Sequence, residues 1–266
     1  MDFHDSVSSL SHLFTSAWAV FATLLLMRLT IAHGPQRWSV AYFGLSMVLL
    51  YLASGLYHGL RHDTDESRLL FQKLDKSAVF LFILGSNIPI QIYMLRGAWR
   101  RWSLAASIGS ALTGVVVLWV WPTMPHPLLV AVYATLGLSG LIVVGKVAPR
   151  IGWGGVGWFT TFAVCYLVGA AVEVAKWPVL VPGWFGPHEF LHIADVAGTL
   201  GHFVLVMKYI LPHGDRRETR LTRSETRITL ESAAHPPRTR LRTEPGSPTL
   251  PEPVHVPVPR RRSSIL

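Results

Sequence analysis

The sequence has little charge and almost no cysteine. Only 15% of its 266 residues are charged, against about a quarter in soluble domains. A nucleic-acid binder can share the pI of about 10.1. It does not combine that pI with so few charges, ten Trp and a mean hydropathy of +0.38, so no nucleic-acid partner is expected. The single Cys165 forbids an intramolecular disulfide, and the redox compartment cannot be read from it. The start, Met1-Asp2-Phe3-His4-Asp5, is acidic and lacks the basic opening of a secretory signal. The first apolar segment is therefore expected to stay in the mature protein. Strand-like alternation is also absent, which leaves helices to satisfy the backbone in lipid.

What is present is apolar. Hydrophobic residues make up 50% of the chain and fall in runs of about twenty, the length that crosses a bilayer as a helix. Seven spans are expected, near 10–32, 38–57, 75–95, 103–121, 127–146, 155–175 and 189–211. The breaks carry turn or charge chemistry: His33-Gly34-Pro35, Arg61 to Lys73, Arg96 to Arg101, Pro122 to Pro127, Lys146 to Gly154 and Pro178 to Pro187. The expected fold class is all-α, a seven-transmembrane helix bundle over 1–212. A disordered, basic, Arg/Pro-rich tail over 213–266 should follow, where repeated prolines forbid continuous helix. That tail holds 11 of the 24 Lys and Arg and 6 of the 15 Asp and Glu, and contact with anionic lipid is its expected role. Basic residues are nearly balanced between the two sets of loops. The tail tips the orientation toward a cytoplasmic C-terminus, in the plasma (inner) membrane of a multi-pass protein.

Ionisable groups inside a span cost about 2.5–3.5 kcal/mol at mid-helix and mark function by default. Here they cluster at span ends. Ser54 and His58 close the second span, Asp75 opens the third, and His188, His192, Asp195 and His202 lie along the seventh. At 100° per residue the last four fall within about 80° of one helix face. Ser54 and His58 are likewise one turn apart. Counting crossings puts the end of span two, the start of span three and the start of span seven on the same side of the membrane. One His from span two, two from span seven and a carboxylate from span three therefore meet at one depth. Zinc suits that set, because it takes imidazole and carboxylate ligands and keeps an open fourth position in catalytic sites. His58, His188 and His192 are the expected ligands. Asp75 is placed to hold or deprotonate a water, and Ser54 to support from behind.

Ser54-x-x-x-His58, Leu74-Asp75-x-Ser77 with Gly85-Ser86-x-x-Pro89, His188-x-x-x-His192 and the later His202-Phe203, with the early Ser8-x-x-x-His12, resemble the hemolysin III family. That family belongs with the progestin and adiponectin receptors. The resemblance covers 10–211 and implies seven helices, a zinc held by His58, His188 and His192, and Asp75 reaching it through water. Through the related alkaline ceramidases it implies hydrolysis of a lipid amide. Two departures stand out: Pro187 replaces an expected small polar residue, and Asp195 adds a carboxylate below the His pair. Family members with an internal N-terminus point the other way on orientation.

His188-Glu189-Phe190-Leu191-His192 also matches H-E-x-x-H, which in zinc proteases puts two ligands and a general-base Glu on one helix. His58 and Asp75 have no place in that alternative. Glu173 and Lys176, ending span six, read as an interfacial ion pair or snorkelling, and Arg28 as snorkelling. His12 would close the site as a fourth ligand. Trp38, Trp102, Trp121, Trp153, Trp158, Trp177 and Trp184 read as an interfacial belt, and the Gly109 to Gly114 row as close helix packing. The leading function is a zinc-dependent membrane hydrolase acting on a lipid amide or ester, with membrane lipid as substrate or ligand. A receptor or signalling scaffold with structural zinc, an intramembrane protease and a pore-forming hemolysin are the competing classes.

Overall fold

A computed structural model of the chain describes residues 3–182 and 184–213. The tail expected over 213–266 lies outside the described residues except for His213. The described residues form seven helices: α1 Phe3–Leu29, α2 Pro35–Gly59, α3 Asp65–Met94, α4 Gly97–Val120, α5 His126–Leu138, α6 Gly140–Ala175 and α7 Pro187–Leu205. A single π turn, Val206–Ile210, continues α7. Among the described residues there is no strand beyond an isolated bridge between Val181 and Phe185.

Among the described residues six helical stretches are long and apolar enough to cross a membrane. One of them, His126–Ala175, has 50 residues, which at about 1.5 Å each is more than twice the hydrocarbon thickness. It is divided at Gly152, whose φ of 65° and ψ of −179° lie outside the helical region. Glycine adopts that conformation without a Cβ penalty. The chain thus reverses there, and residues 126–151 and 153–175 form the fifth and sixth of seven crossings.

The boundaries depart from the sequence reading in one informative place. The charged stretch before residue 75 is not a loop, because α3 starts ten residues earlier. Thr64 caps it by accepting from the Ser67 backbone N–H at 3.1 Å, with Asp65 and Glu66 in the first turn. Acidic side chains favour that end of a helix. Asp75 therefore sits inside α3 rather than at its start.

The core lies between α1, α2, α3, α6 and α7, around the fully buried Phe43, Met47, Tyr51 and Leu26. In contrast, α4 buries only Ala111 and Leu118. The Gly109 to Gly114 row is accordingly only half a packing surface: Gly114 lies against Phe80, while Gly109 faces open space. Six of the seven belt tryptophans are exposed, as Trp153 at 91% illustrates, but Trp158 packs on the core.

Helices α1 and α2 approach most closely at small residues. A Cβ on Gly44 would overlap the Thr23 side chain at its Cβ as well as its tip. The Ser9 hydroxyl donates to the Gly55 carbonyl at 2.9 Å. Without a hydrophobic drive between helices in lipid, such close packing holds the pair together. Gly44→Leu is expected to destabilise the bundle by about 1–3 kcal/mol through overpacking, read as an earlier unfolding midpoint in detergent.

Two ends of the bundle are distinguished by contacts. At one, Arg150 donates to the Met94 carbonyl, and Lys146 lies 4.9 Å from the Trp99 ring. At the other, the ends of α2 and α6 meet the starts of α5 and α7. The polar cluster occupies this second end.

Candidate metal centre

His58 lies in the last turn of α2, one turn after the buried Ser54. His188 and His192 lie one turn apart at the start of α7, so their rings share a face. Pro187 at the first helical position explains its departure from a small polar residue, since its fixed φ suits a helix start. Glu189 closes the same end: Gly186 N–H donates to its Oε2 at 2.8 Å. In this position its carboxylate serves the positive end of α7.

One ring nitrogen from each of His58, His188 and His192 converges within a 4.8 Å set. His188 Nε2 stands 3.3 Å from His58 Nε2 and 3.0 Å from His192 Nε2. A single imidazole nitrogen has either one proton or one lone pair. It cannot make two good in-plane bonds to two other ring nitrogens. A shared cation satisfies all three at once. Nitrogens bound at about 2.0–2.1 Å in tetrahedral geometry stand about 3.3 Å apart, close to the separations found. The donor set thus fits zinc, with three neutral ligands and a position left over.

The other two polar residues on this face of α7 meet different partners. His202 bonds the Ser86 carbonyl at 3.0 Å and packs on Phe162 and Phe43. Asp195 is half-buried, and its carbonyl accepts from the Tyr51 hydroxyl at 3.0 Å. Neither reaches the converging nitrogens. Below the trio a polar ladder ties the helices together: the Tyr51 hydroxyl pairs with Thr199 Oγ1 at 2.6 Å, and Tyr166 pairs with the same oxygen at 3.0 Å. The sequence offered no sign of this ladder, because a Tyr or Thr in an apolar run reads as core.

Asp75 is half-buried and lies beside the buried Ser54. Its neighbours in α3 are pinned from outside. Tyr133 donates to the Lys76 carbonyl at 2.8 Å and Trp119 Nε1 to Ser77 Oγ at 3.0 Å. Asp75 contributes no atom to the converging set, as suits a carboxylate acting through water. His12 contributes none either. It is 3% exposed, with its ring 4.0 Å from that of His192 and 5.0 Å from that of Tyr51. It walls the site rather than closing it.

Sequence comparisons agree with this architecture. The family model described as "Haemolysin-III related" matches residues 3–203. A Bacillus cereus protein named Hemolysin-3 is 26% identical over 208 residues, covering 77% of this chain and 91% of its own. The Hemolysin-3 homolog of Bacillus subtilis (strain 168) is 27% identical over 190 residues, 70% of this chain and 85% of its own. The Adiponectin receptor protein of Drosophila melanogaster is 28% identical over 163 residues, 55% of this chain but only 37% of the receptor. With its all-helical, seven-crossing body and a match over most of its length, the chain is an integral membrane protein and belongs to the haemolysin-III-related family that includes the adiponectin receptors.

Proposed function

We propose that the protein is a zinc-dependent hydrolase of lipid amides or esters, of the ceramidase kind. The convergence of His58, His188 and His192 beside the Ser54–Asp75 pair supports this reading. When bound, zinc supplies Lewis acidity, polarising a carbonyl and lowering the pKa of a water toward about 7. The three imidazoles hold it without neutralising its charge. Asp75 takes the proton of the attacking water on a carboxylate oxygen and returns it to the leaving nitrogen or oxygen. Ser54 donates to that carboxylate and fixes its direction. His12 and Tyr51 exclude water from the inner side. The position favours lipid: His58 and His188 lie within a turn of their helix ends, at the depth where a lipid's amide or ester linkage meets the hydrocarbon.

The test is the purified protein against ceramides, other N-acyl lipids and phospholipid esters, with zinc measured in the same sample. Fatty acid release that a chelator abolishes and zinc restores is the expected result. Zinc at one per chain without turnover of any lipid favours a receptor or scaffold, the reading that the likeness to a receptor carries. The protease alternative turns on Glu189. Because that carboxylate caps α7, Glu189→Gln is expected to keep zinc and most lipid turnover while costing about 1 kcal/mol of stability. Peptide cleavage that vanishes in Glu189→Gln would overturn the lipid-hydrolase reading.

A further inference from the structure

The buried carboxylate of Glu173 has no part in the proposed chemistry, and helix formation does not explain it. It stands in the last turn of α6, where the helix dipole disfavours an anion. It is 4% exposed, and a charge so placed persists only when it is paired. Its two oxygens are treated differently. Oε1 takes both neighbouring partners, the Lys176 ammonium at 2.5 Å and His126 Nε2 at 3.3 Å. Oε2 is buried and makes no hydrogen bond. It lies 3.8 Å from His188 Nδ1, on the side of the ring opposite the nitrogen that faces His58 and His192.

We infer that Glu173 is a positioning residue that orients His188 as a metal ligand, with His126 and Lys176 anchoring the carboxylate. The inference rests on the zinc reading above. A proton on Nδ1 directed at Oε2 leaves the Nε2 lone pair facing the other two imidazoles. The carboxylate thereby selects the tautomer that binds metal and makes that nitrogen a better donor. The present gap is longer than a hydrogen bond, and a side-chain adjustment of His188 closes it. Oε2 is left for that contact, because Lys176 and His126 both engage Oε1. Three elements are coupled through one group: the start of α5 by His126, the end of α6 by Glu173, and the start of α7 by His188.

The experiment is zinc affinity, measured by competition with a chromophoric chelator on the intact protein. Glu173→Ala is expected to weaken zinc about 10–100-fold, the usual cost of losing an outer-shell partner. Glu173→Gln should recover part of that loss, because its carbonyl still accepts from Nδ1. Zinc at one per chain in the wild type, with an unchanged affinity in Glu173→Ala, overturns the inference and leaves the metal reading standing. A wild type that holds no zinc overturns both. Should Glu173→Ala fail to fold, nitrogen NMR of the zinc-loaded wild type decides. A hydrogen-bonded proton on His188 Nδ1 supports the inference, and coordination through Nδ1 overturns it.

Discussion

His192→Ala is expected to abolish zinc binding while leaving the bundle folded. Of the three converging imidazoles, His192 is the most buried, at 6% exposure, and it cannot be replaced by an exposed neighbour. His202, two turns or more further along α7, is held by the Ser86 carbonyl. His12 lies against the His192 ring but outside the converging nitrogens. With two ligands left, zinc affinity should fall by more than the ~10–100-fold that a lost outer-shell group costs. His58→Ala and His188→Ala should behave alike, since each removes one of three donors. Elemental analysis of the purified variants provides the measurement. A second readout separates ligand loss from misfolding. A ligand bound only by the native state raises its unfolding temperature, so a chelator should lower the midpoint of the wild type and leave that of the variants unchanged. Full zinc in all three variants would sink the ligand assignment.

Asp75→Asn is expected to do the opposite, keeping zinc and losing turnover. The amide has the shape of the carboxylate and keeps its place beside Ser54, and the wild-type carboxylate contributes nothing to the converging set. It is, however, a poor base. Loss of a positioned general base typically costs about 10²–10⁴-fold in rate, and kcat on the best lipid substrate should fall by that much. Zinc content should stay near the wild-type value. Parallel loss of zinc and fold would make Asp75 a structural residue instead. Together with Glu189→Gln, which retains activity, this variant fixes which carboxylate moves the proton.

The site was legible where its chemistry follows from helix periodicity. Ser54 and His58, and His188 and His192, are each one turn apart, and a helix leaves such residues no choice but to share a face. Crossing parity then put both pairs and Asp75 at the same end. Asp195 and His202 share that face without joining the cluster. Sharing a face sets direction but not depth: along the axis Asp195 lies about 4.5 Å and His202 about 15 Å beyond His192. Those two meet other helices at other levels. Glu173 was passed over because an Asp/Glu–Lys pair three residues apart at a helix end is ordinary on a surface. Its burial, and its approach to His126 on α5 and His188 on α7, come from helices distant in sequence.

By itself the sequence determined that this chain is a helical membrane protein. Runs of about twenty apolar residues admit no other way of satisfying the backbone in lipid. It also determined the family and the residue types of the polar cluster. Only the tertiary structure decided that α3 begins at Asp65 and that Gly152 divides a 50-residue apolar stretch into two crossings. It alone decided which of the aligned histidines converge and which carboxylate stands behind them. The division has a physical cause. Hydrophobic length and helical phase are properties of a local stretch of chain. Depth, ring orientation and the sharing of a buried charge are fixed only when helices distant in sequence pack against one another.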